Sequence, residues 1–124
     1  MHFSGTAIVA LLGWTIAQAA PVPSPPAAQG AWSAAPPMHH ARAAHAVVSD
    51  GKSIYAMAGT GAGGAPVLAL ERFDGATWRD EGVIPGSGLN APAAVALAGK
   101  IYLIGGFVTD TNLPSAGVLV YDTK

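Results

Sequence analysis

The chain has 124 residues, of which 51% are hydrophobic and only 10% charged, and its net charge at pH 7 is −1. This composition is too apolar for an intrinsically disordered chain, and the lack of a basic excess argues against nucleic-acid binding. The sequence has no cysteine, which excludes disulfides and thiol catalysis within it, while 16 glycines and 10 prolines suit many short strands joined by turns.

Residues 1–19 have the pattern of a secretory signal peptide. Residues 6–16 form an apolar run, and Ala17 and Ala19 supply the small residues of a cleavage site. The run is too short to cross about 30 Å of hydrocarbon, so we expect no stable membrane span. Residues 20–30 are rich in proline and predict an extended linker. We therefore predict a secreted or periplasmic protein whose folded part covers residues 31–124.

The folded part contains two similar stretches, each an apolar strand that runs into small residues and glycine. Residues 101–106 read Ile-Tyr-Leu-Ile-Gly-Gly, and residues 54–59 are a near-copy of them. Other landmarks recur in the same order, at offsets between 46 and 48 residues. The matched pairs are Trp32 with Trp78, Gly51-Lys52 with Gly99-Lys100, Tyr55 with Tyr102, Gly59 with Gly106, and Phe73-Asp74 with Tyr121-Asp122. In this alignment Ser53 is an extra residue of the first copy.

The order of apolar strand, tyrosine, small residue with glycine, long loop, aromatic-aspartate pair and tryptophan resembles the kelch motif. About 50 residues is the kelch period. The resemblance covers residues 32–124 and implies an all-β fold, namely a fragment of a kelch-type β-propeller with four-stranded antiparallel blades. Its motif residues would have structural roles; they are Trp32, Tyr55, Gly59, Trp78, Tyr102, Gly105 and Gly106.

Each copy predicts short strands joined by glycine turns. The predicted strands cover residues 43–48, 53–58 and 67–73 with a fourth around Trp78, and then residues 92–97, 101–105 and 117–122. The two blades would thus span residues 43–82 and 92–124, whereas propellers typically need four to eight blades. In many propellers an N-terminal strand, here near Trp32, completes the last blade. We expect the missing blades to come from the rest of a longer chain or from self-association.

His39, His40 and His45 are the residues closest to a metal-site pattern, since zinc sites use histidine. No neighbouring cysteine or carboxylate in the sequence completes the set, so we predict no metal site and no cofactor. His45 lies where kelch-like repeats often carry a histidine beside the first strand. These features favour a structural role for the three histidines.

Residues 59–64 formally satisfy the Gly-x-Gly-x-x-Gly pattern of dinucleotide-binding folds. That site needs a helix after the glycines, whose N-terminus holds the pyrophosphate. The second copy lacks the glycine pattern although its flanking landmarks persist. We therefore predict a flexible loop between two strands.

Arg42 is the main candidate for ligand binding. It precedes the first predicted strand, and at an offset of 48 its counterpart is Asn90. In proteins that resemble this chain, loops at that end of the blade line the mouth of a central channel. An arginine there would suit a carboxylate or a sugar acid. The alternative is a surface arginine that pairs with a neighbouring loop.

The acidic residues show no catalytic arrangement. Glu71 and Arg72 are neighbours on one strand and must point to opposite faces, so they cannot act as one pair. Asp80 and Glu81 follow Trp78 and are expected to cap or solvate a loop. We assign no catalytic residue.

Two functions from different classes remain open. The first is a non-enzymatic binding module whose inter-strand loops, residues 59–66 and 107–116, recognise a protein or carbohydrate ligand. The second is a carbohydrate-active enzyme, because exported kelch-like propellers include sialic acid epimerases and copper-dependent galactose oxidases. The oxidase relies on a cysteine-modified tyrosine, which this sequence cannot supply. The epimerase would need an arginine and a carboxylate facing the channel, and Arg42 is the only good candidate. The lack of a visible catalytic constellation favours the binding module.

Overall fold

The computed structural model describes residues 13, 19–23 and 30–124. The predicted signal peptide and most of the predicted linker therefore lie outside the described residues. Every described strand belongs to one compact unit, residues 34–124. Within the described part of the chain, no helix has both the length and the apolar character needed to cross a bilayer.

The described chain is all-β, and its strands pair antiparallel. The nine strands are β1 (Ala46–Ser49), β2 (Ile54–Met57), β3 (Ala69–Phe73), β4 (Trp78–Val83), β5 (Leu89–Asn90), β6 (Ala93–Leu97), β7 (Lys100–Ile104), β8 (Phe107–Val108) and β9 (Val118–Asp122). A single 3-10 turn spans Ala62–Gly64. The predicted strands agree with the observed ones to within three residues at each end. The two-residue strands β5 and β8 were not predicted.

The first four strands form a sheet in the order β1-β2-β3-β4, as a four-stranded blade requires. Tight turns that use aspartate join β1 to β2 and β3 to β4. The carboxylate of Asp50 accepts the backbone N–H groups of Lys52 and Ser53, and Asp74 accepts those of Ala76 and Thr77 in the same way. Such local bonds fix the turn and with it the strand register.

The second sheet has three described strands in the order β6-β7-β9, and β5 pairs with β8 in a separate ribbon. The β6–β7 turn consists of Ala98 and Gly99, with φ angles of 51° and 76°. Positive φ at both central residues is the requirement of a type I′ hairpin turn. No closed propeller is formed by the described residues. An all-β fold of antiparallel sheets is therefore confirmed, while the kelch-type propeller stays a prediction.

The core lies between the two sheets. Tyr55, Met57 and Leu70 of the first sheet, together with Ile101 and Leu103 of the second, are almost completely buried in one cluster. The Tyr55 ring also packs against that of Tyr121, with centroids 6.4 Å apart. Burying such a side chain is worth about 1.5–3 kcal/mol, so this cluster is the main apolar contribution to holding the sheets together.

The structure corrects the alignment of the two repeats. Val48 pairs with Tyr55 in the first sheet and Val95 with Tyr102 in the second, an offset of 47. The same offset matches Ser53 to Lys100, so Ser53 is not an extra residue. The error arose because the glycines stand at different places in the two turns. Gly51 is the first central residue of the turn between β1 and β2, whereas Gly99 is the second central residue of the turn between β6 and β7. Aligning the two glycines therefore shifted the comparison by one residue.

The constant offset also changes the counterpart of Arg42. Ala43 bridges to Thr60, and Asn90 pairs with Phe107 at the equivalent place. Asn90 thus corresponds to Ala43, and the residue that corresponds to Arg42 is Leu89. The prediction that Arg42 and Asn90 are equivalent is wrong.

The outer face of the second sheet is apolar and uncovered. Ile104 and Val118 are exposed there, whereas Tyr102 is half-buried. We call the exposed residues of this surface the uncovered face; they are Val95, Leu97, Ile104, Val118 and Val120. Residues 30–38 form no strand, and Trp32 is fully exposed, so a closing strand near Trp32 stays a prediction.

Candidate functional site

Three connecting segments meet at the end of the sheets where β2, β4 and β7 finish. They are residues 58–68, 84–92 and 105–117, and we call them together the loop face. Backbone hydrogen bonds join them: Gly59 N–H donates to the Leu89 carbonyl at 2.8 Å, and Thr109 N–H donates to the Gly88 carbonyl at 3.1 Å. The three segments therefore form one connected surface.

The two motif glycines permit the close approach of these segments. Gly59 has a φ of 85° and Gly106 a φ of 84°, a region that favours glycine. A Cβ on Gly59 would lie 2.4 Å from the Ala43 carbonyl oxygen, and one on Gly106 would lie 2.7 Å from that of Asn90. The glycines are thus required by sterics and by backbone conformation. Their predicted structural role is consistent with this geometry.

The loops of the two repeats differ although the strands around them match. The first loop makes the exposed Ala62–Gly64 turn and is followed by β3. The second makes a turn with Asn112 at a φ of 52°, and Leu113 is 63% exposed beside it. Since a strand and not a helix follows the glycines of residues 59–64, this loop lacks the geometry of a dinucleotide site.

Arg42, the first predicted ligand-binding residue, is a buried structural cation in this chain. Its side chain is inaccessible to solvent, and Nη2 lies 2.6 Å from Oε2 of Glu71. Nη1 donates to the carbonyls of Ala58 and Ala69 at 3.1 and 3.0 Å. The alternative of a surface arginine that pairs with a neighbouring loop is also wrong, because the side chain is buried and its charged partner lies on β3. A ligand-binding role would require these bonds to be given up.

Asn90, the second predicted residue, lies on the loop face in β5. Its side-chain Oδ1 is buried and accepts no hydrogen bond from any described residue, and the same holds for Oγ1 of Thr109 on the neighbouring loop. No hydrogen bond joins Arg42 to Asn90 within the described residues. The two predicted residues therefore differ in their hydrogen bonding. The Arg42 guanidinium is bonded to Glu71 and to two carbonyls, whereas Oδ1 of Asn90 has no partner among the described residues.

A second group of polar residues lies on the face of the first sheet that points away from the core. Glu71 and Asp80 pair across β3 and β4, so their side chains share one face, and residues 39–42 lie over them. The Glu71 carboxylate accepts the backbone N–H groups of His39 at 2.6 Å and His40 at 3.3 Å. We call His39, His40, Glu71 and Asp80 the histidine cluster.

The Asp80 carboxylate lies between the two imidazoles of this cluster. His39 Nδ1 is 3.2 Å from Oδ1 and His40 Nε2 is 3.1 Å from Oδ2. The hydrogen bond with His40, followed by that with His39, lowers the pKa of the Asp80 carboxyl below its usual value. The expectation that no carboxylate accompanies these histidines is wrong, because the sequence separation concealed the contact.

The remaining polar residues have structural surroundings. Arg72 points to the face opposite Glu71, as expected, and its Nε lies 2.6 Å from Oε1 of Glu81. Asp80 and Glu81 lie within β4, so the prediction that they cap or solvate a loop is wrong. His45 is half-buried beside Gly59; this burial, and then the nearby Arg42 charge, lower the pKa of its imidazole.

The pairing of Glu71 with Asp80 was the signal that sequence reasoning missed. The turn after Phe73 sets Phe73 opposite Trp78, and counting outward places the two carboxylates near each other across the hairpin. The register shift between Leu70 and Glu71 begins only beyond this pair, so the count from the turn holds as far as Glu71 and Asp80. The crossing of residues 39–42 over the pair is a tertiary contact, which no local pattern reveals.

No model of a known protein family matches the chain, and no curated protein matches it.

Proposed function

We propose that this chain is part of an exported, kelch-type propeller that acts as a non-enzymatic binding module. In this proposal the loop face recognises a protein or carbohydrate ligand. The sheets act as a rigid scaffold, and the missing blades come from the rest of a longer chain or from further copies. The export signal would be carried by residues 1–19.

One observation carries this proposal: the scaffold is constant while the loops are not. The paired strands of the two repeats keep an offset of 47 through β1–β2 and β6–β7. The loops after β2 and β7 have different sequences, turn types and lengths, and the turn of each is exposed. Variable loops on an unchanging framework are typical of recognition surfaces.

The unpaired polar atoms on the loop face support the same proposal. Leaving a buried polar group without a hydrogen bond costs about 1–3 kcal/mol, so such groups often belong to sites that something else completes. Oδ1 of Asn90 and Oγ1 of Thr109 are both of this kind among the described residues. Because both atoms are buried, a hydroxyl-rich ligand such as a sugar would supply the missing partners only once the loops around them open.

The enzymatic alternative receives less support from the geometry. An epimerase-like role would need the Arg42 guanidinium to face a substrate, but its donors bond to Glu71 and to the carbonyls of Ala58 and Ala69. Releasing it would leave the buried Glu71 carboxylate without its counter-charge, which is costly.

The test uses the full chain and an immobilised panel of glycans that includes sialic acid and galactose residues. We expect saturable binding that is lost when Asn90 and Thr109 are both replaced by alanine. The matched control is Lys52→Ala, an exposed change in the turn at the opposite end of the sheets, which should bind as the wild type does. Catalytic turnover of a bound sugar would overturn the proposal, as would equal binding by the loop variant.

A further inference from the structure

We propose that residues 31–35 of a second copy of this chain bind along the open edge of β9, with Trp32 of that copy filling an apolar cavity beside the edge. β9 pairs with β7 on one side, and no strand of the described chain lies along its other side. The open side of a strand presents unpaired backbone N–H and C=O groups, to which a further strand can bond. The edge of β9 is therefore a site for the addition of a strand.

The cavity lies between the two sheets, and β9 contributes to its lining. Its volume is about 220 Å³. Leu119 and Tyr121 line it from the second sheet, and residues 82–85, at the end of β4 and just after it, line it from the first. In another protein an apolar cavity of about 150 Å³ already accepts benzene. The cavity beside β9 can therefore hold one aromatic side chain.

The first sheet shows how such an edge is filled. There β4 runs along β3 and sets Trp78 opposite Phe73, with the ring centroids 5.1 Å apart. The indole Nε1 of Trp78 donates to the Pro36 carbonyl at 2.9 Å. In the second sheet β9 is the counterpart of β3, since each pairs with the second strand of its sheet, and Tyr121 takes the place of Phe73. Opposite Tyr121 there is no counterpart of Trp78 among the described residues.

The surroundings of this position also match between the sheets. Pro36, which contacts the Trp78 indole, lies four residues after Trp32. Gly82 lies four residues after Trp78, so it is the counterpart of Pro36, and it lines the cavity. The cavity therefore corresponds to the place that an indole occupies in the first sheet.

Trp32 is an available tryptophan of the right kind. Its side chain is fully exposed, and residues 30–35 are exposed and form no strand. In the repeat it corresponds to Trp78, at an offset of 46. Apart from Trp32, residues 31–35 are alanine and serine, which fit beside a strand without clashes. Pro36 follows them, and an edge strand tolerates proline because its outer side needs no N–H group.

Chain length favours a second copy over the same chain as the source of this strand. Pro36 is held at Trp78, on the face of the first sheet that points away from the second sheet. The four residues between Pro36 and Trp32 span at most about 14 Å. A strand of the same chain would have to pass around the edge of the first sheet and then cross the spacing of about 10 Å between stacked sheets. One copy therefore offers its Trp32 segment to the next, in a head-to-tail contact.

The register is tested with engineered cysteines, since the chain has none of its own. In the register that β4 has on β3, Trp32 stands opposite Tyr121 and Ser33 stands opposite Val120. Ser33 and Val120 are both exposed. Paired residues of antiparallel strands have Cα atoms about 4.5–5.5 Å apart, within the range that a disulfide spans. We expect full-length Ser33→Cys and Val120→Cys chains, mixed under mild oxidation, to form a disulfide-linked heterodimer.

The matched control is a mixture of Ser33→Cys with Val95→Cys, which is exposed on the same sheet but lies on β6. This mixture should give little heterodimer. Equal yields from the two mixtures would overturn the proposal. A disulfide within single chains of Ser33→Cys/Val120→Cys at high dilution would also overturn it, because the chain would then fill its own site.

The cavity is tested by sedimentation of the full chain. Trp32→Ala should weaken the association of copies by about tenfold or more, and Gly82→Ile should do the same by placing a side chain in the cavity. Both variants should keep the circular dichroism of the wild type, because Trp32 is exposed and a Cβ on Gly82 meets only the Tyr121 ring, at 4.0 Å.

The control for association is Lys52→Ala, an exposed change that should associate as the wild type does. A wild-type chain that stays monomeric, or unchanged association of Trp32→Ala, would overturn the proposal. None of these results depends on whether the loop face binds a ligand.

Discussion

The guanidinium of Arg42 is buried against the carboxylate of Glu71, 2.6 Å away, and neither side chain is accessible to solvent. This ion pair attaches residues 39–42 to the first sheet. In the second repeat the corresponding residues are Leu89 and Leu119, both packed at the edge of the apolar core. These equivalent positions therefore hold a charged pair in the first repeat and an apolar pair in the second.

Breaking this ion pair should destabilise the fold far more than an exposed pair would. Glu71→Leu leaves Arg42 buried without a counter-charge, and we expect the free energy of unfolding to fall by about 3–5 kcal/mol. The double variant Arg42→Leu/Glu71→Leu reproduces the leucines of the second repeat and should recover part of that loss. The measurement is urea denaturation analysed as a double-mutant cycle.

The matched control for this cycle is the partly exposed pair of Arg72 and Glu81, whose side chains are 26% and 27% exposed. Arg72→Leu should cost no more than about 1 kcal/mol, because solvent screens such a pair. A cost for Glu71→Leu as small as the control would show that the buried pair is not needed for stability.

Gly106 should be far less tolerant of substitution than Gly63. Both have positive φ, 84° and 66°, so alanine at either position incurs a similar left-handed backbone cost of about 1–2 kcal/mol. Only at Gly106 would the new Cβ also meet backbone atoms, at 2.7 Å from the Asn90 oxygen, whereas nothing lies within 4 Å at Gly63. We expect Gly106→Ala to lower the midpoint of thermal unfolding clearly more than Gly63→Ala. Equal midpoints would mean that the loop face adapts to the added methyl group.

The Asp50 turn should make stability depend on acid pH. The backbone N–H groups of Ser53 and Lys52 bond to its carboxylate and lower its pKa from the usual 3.8. A carboxyl with a lower pKa in the folded state stabilises the fold above the unfolded pKa, and the contribution is lost as the pH falls through the folded pKa. We expect Asp50→Asn to flatten the decline in unfolding free energy below about pH 3.8. The control is Asp110→Asn, at an exposed position in another loop. If the Asp50 turn is responsible, this variant should leave the pH dependence of the free energy of unfolding unchanged.

The uncovered face should cause association of the isolated chain. Its apolar side chains, among them Val118 at 53% and Val120 at 55% exposure, lie on one side of the second sheet. Exposed patches of this kind mark interaction surfaces. We expect the chain to form oligomers or aggregates in light scattering, and Val118→Thr/Val120→Thr to reduce both association and binding of a hydrophobic dye.

The control for the uncovered face is Leu119→Thr, on the same strand but facing the core. It should lower the thermal midpoint without reducing dye binding. A monodisperse wild-type monomer with a sharp thermal transition would contradict the expectation that this surface needs a cover. Oligomers of defined mass would instead favour blades supplied by further copies.

Local sequence patterns were sufficient for the turns and for seven of the nine described strands, all but the two-residue strands β5 and β8. Alternating or continuous apolar runs predicted the strands, because residues two apart share a face of a sheet. Aspartate and glycine predicted the turns. The aspartate side chain bonds to backbone groups a few residues away, and glycine permits the positive φ that tight turns need. The opposed directions of Glu71 and Arg72 followed from the same rule.

Tertiary structure decided the partners of the polar residues. Glu71 meets Arg42 and His39 across about 30 residues of chain, and Asp80 meets the two histidines across about 40. Hydrogen bonds and ion pairs act only over a few ångströms, so they depend on which segments the fold brings into contact. The sequence by itself therefore determined an all-β chain with two related repeats. The burial of Arg42 and the convergence of His39, His40 and Asp80 were decided by the crossing of residues 39–42 over β3 and β4.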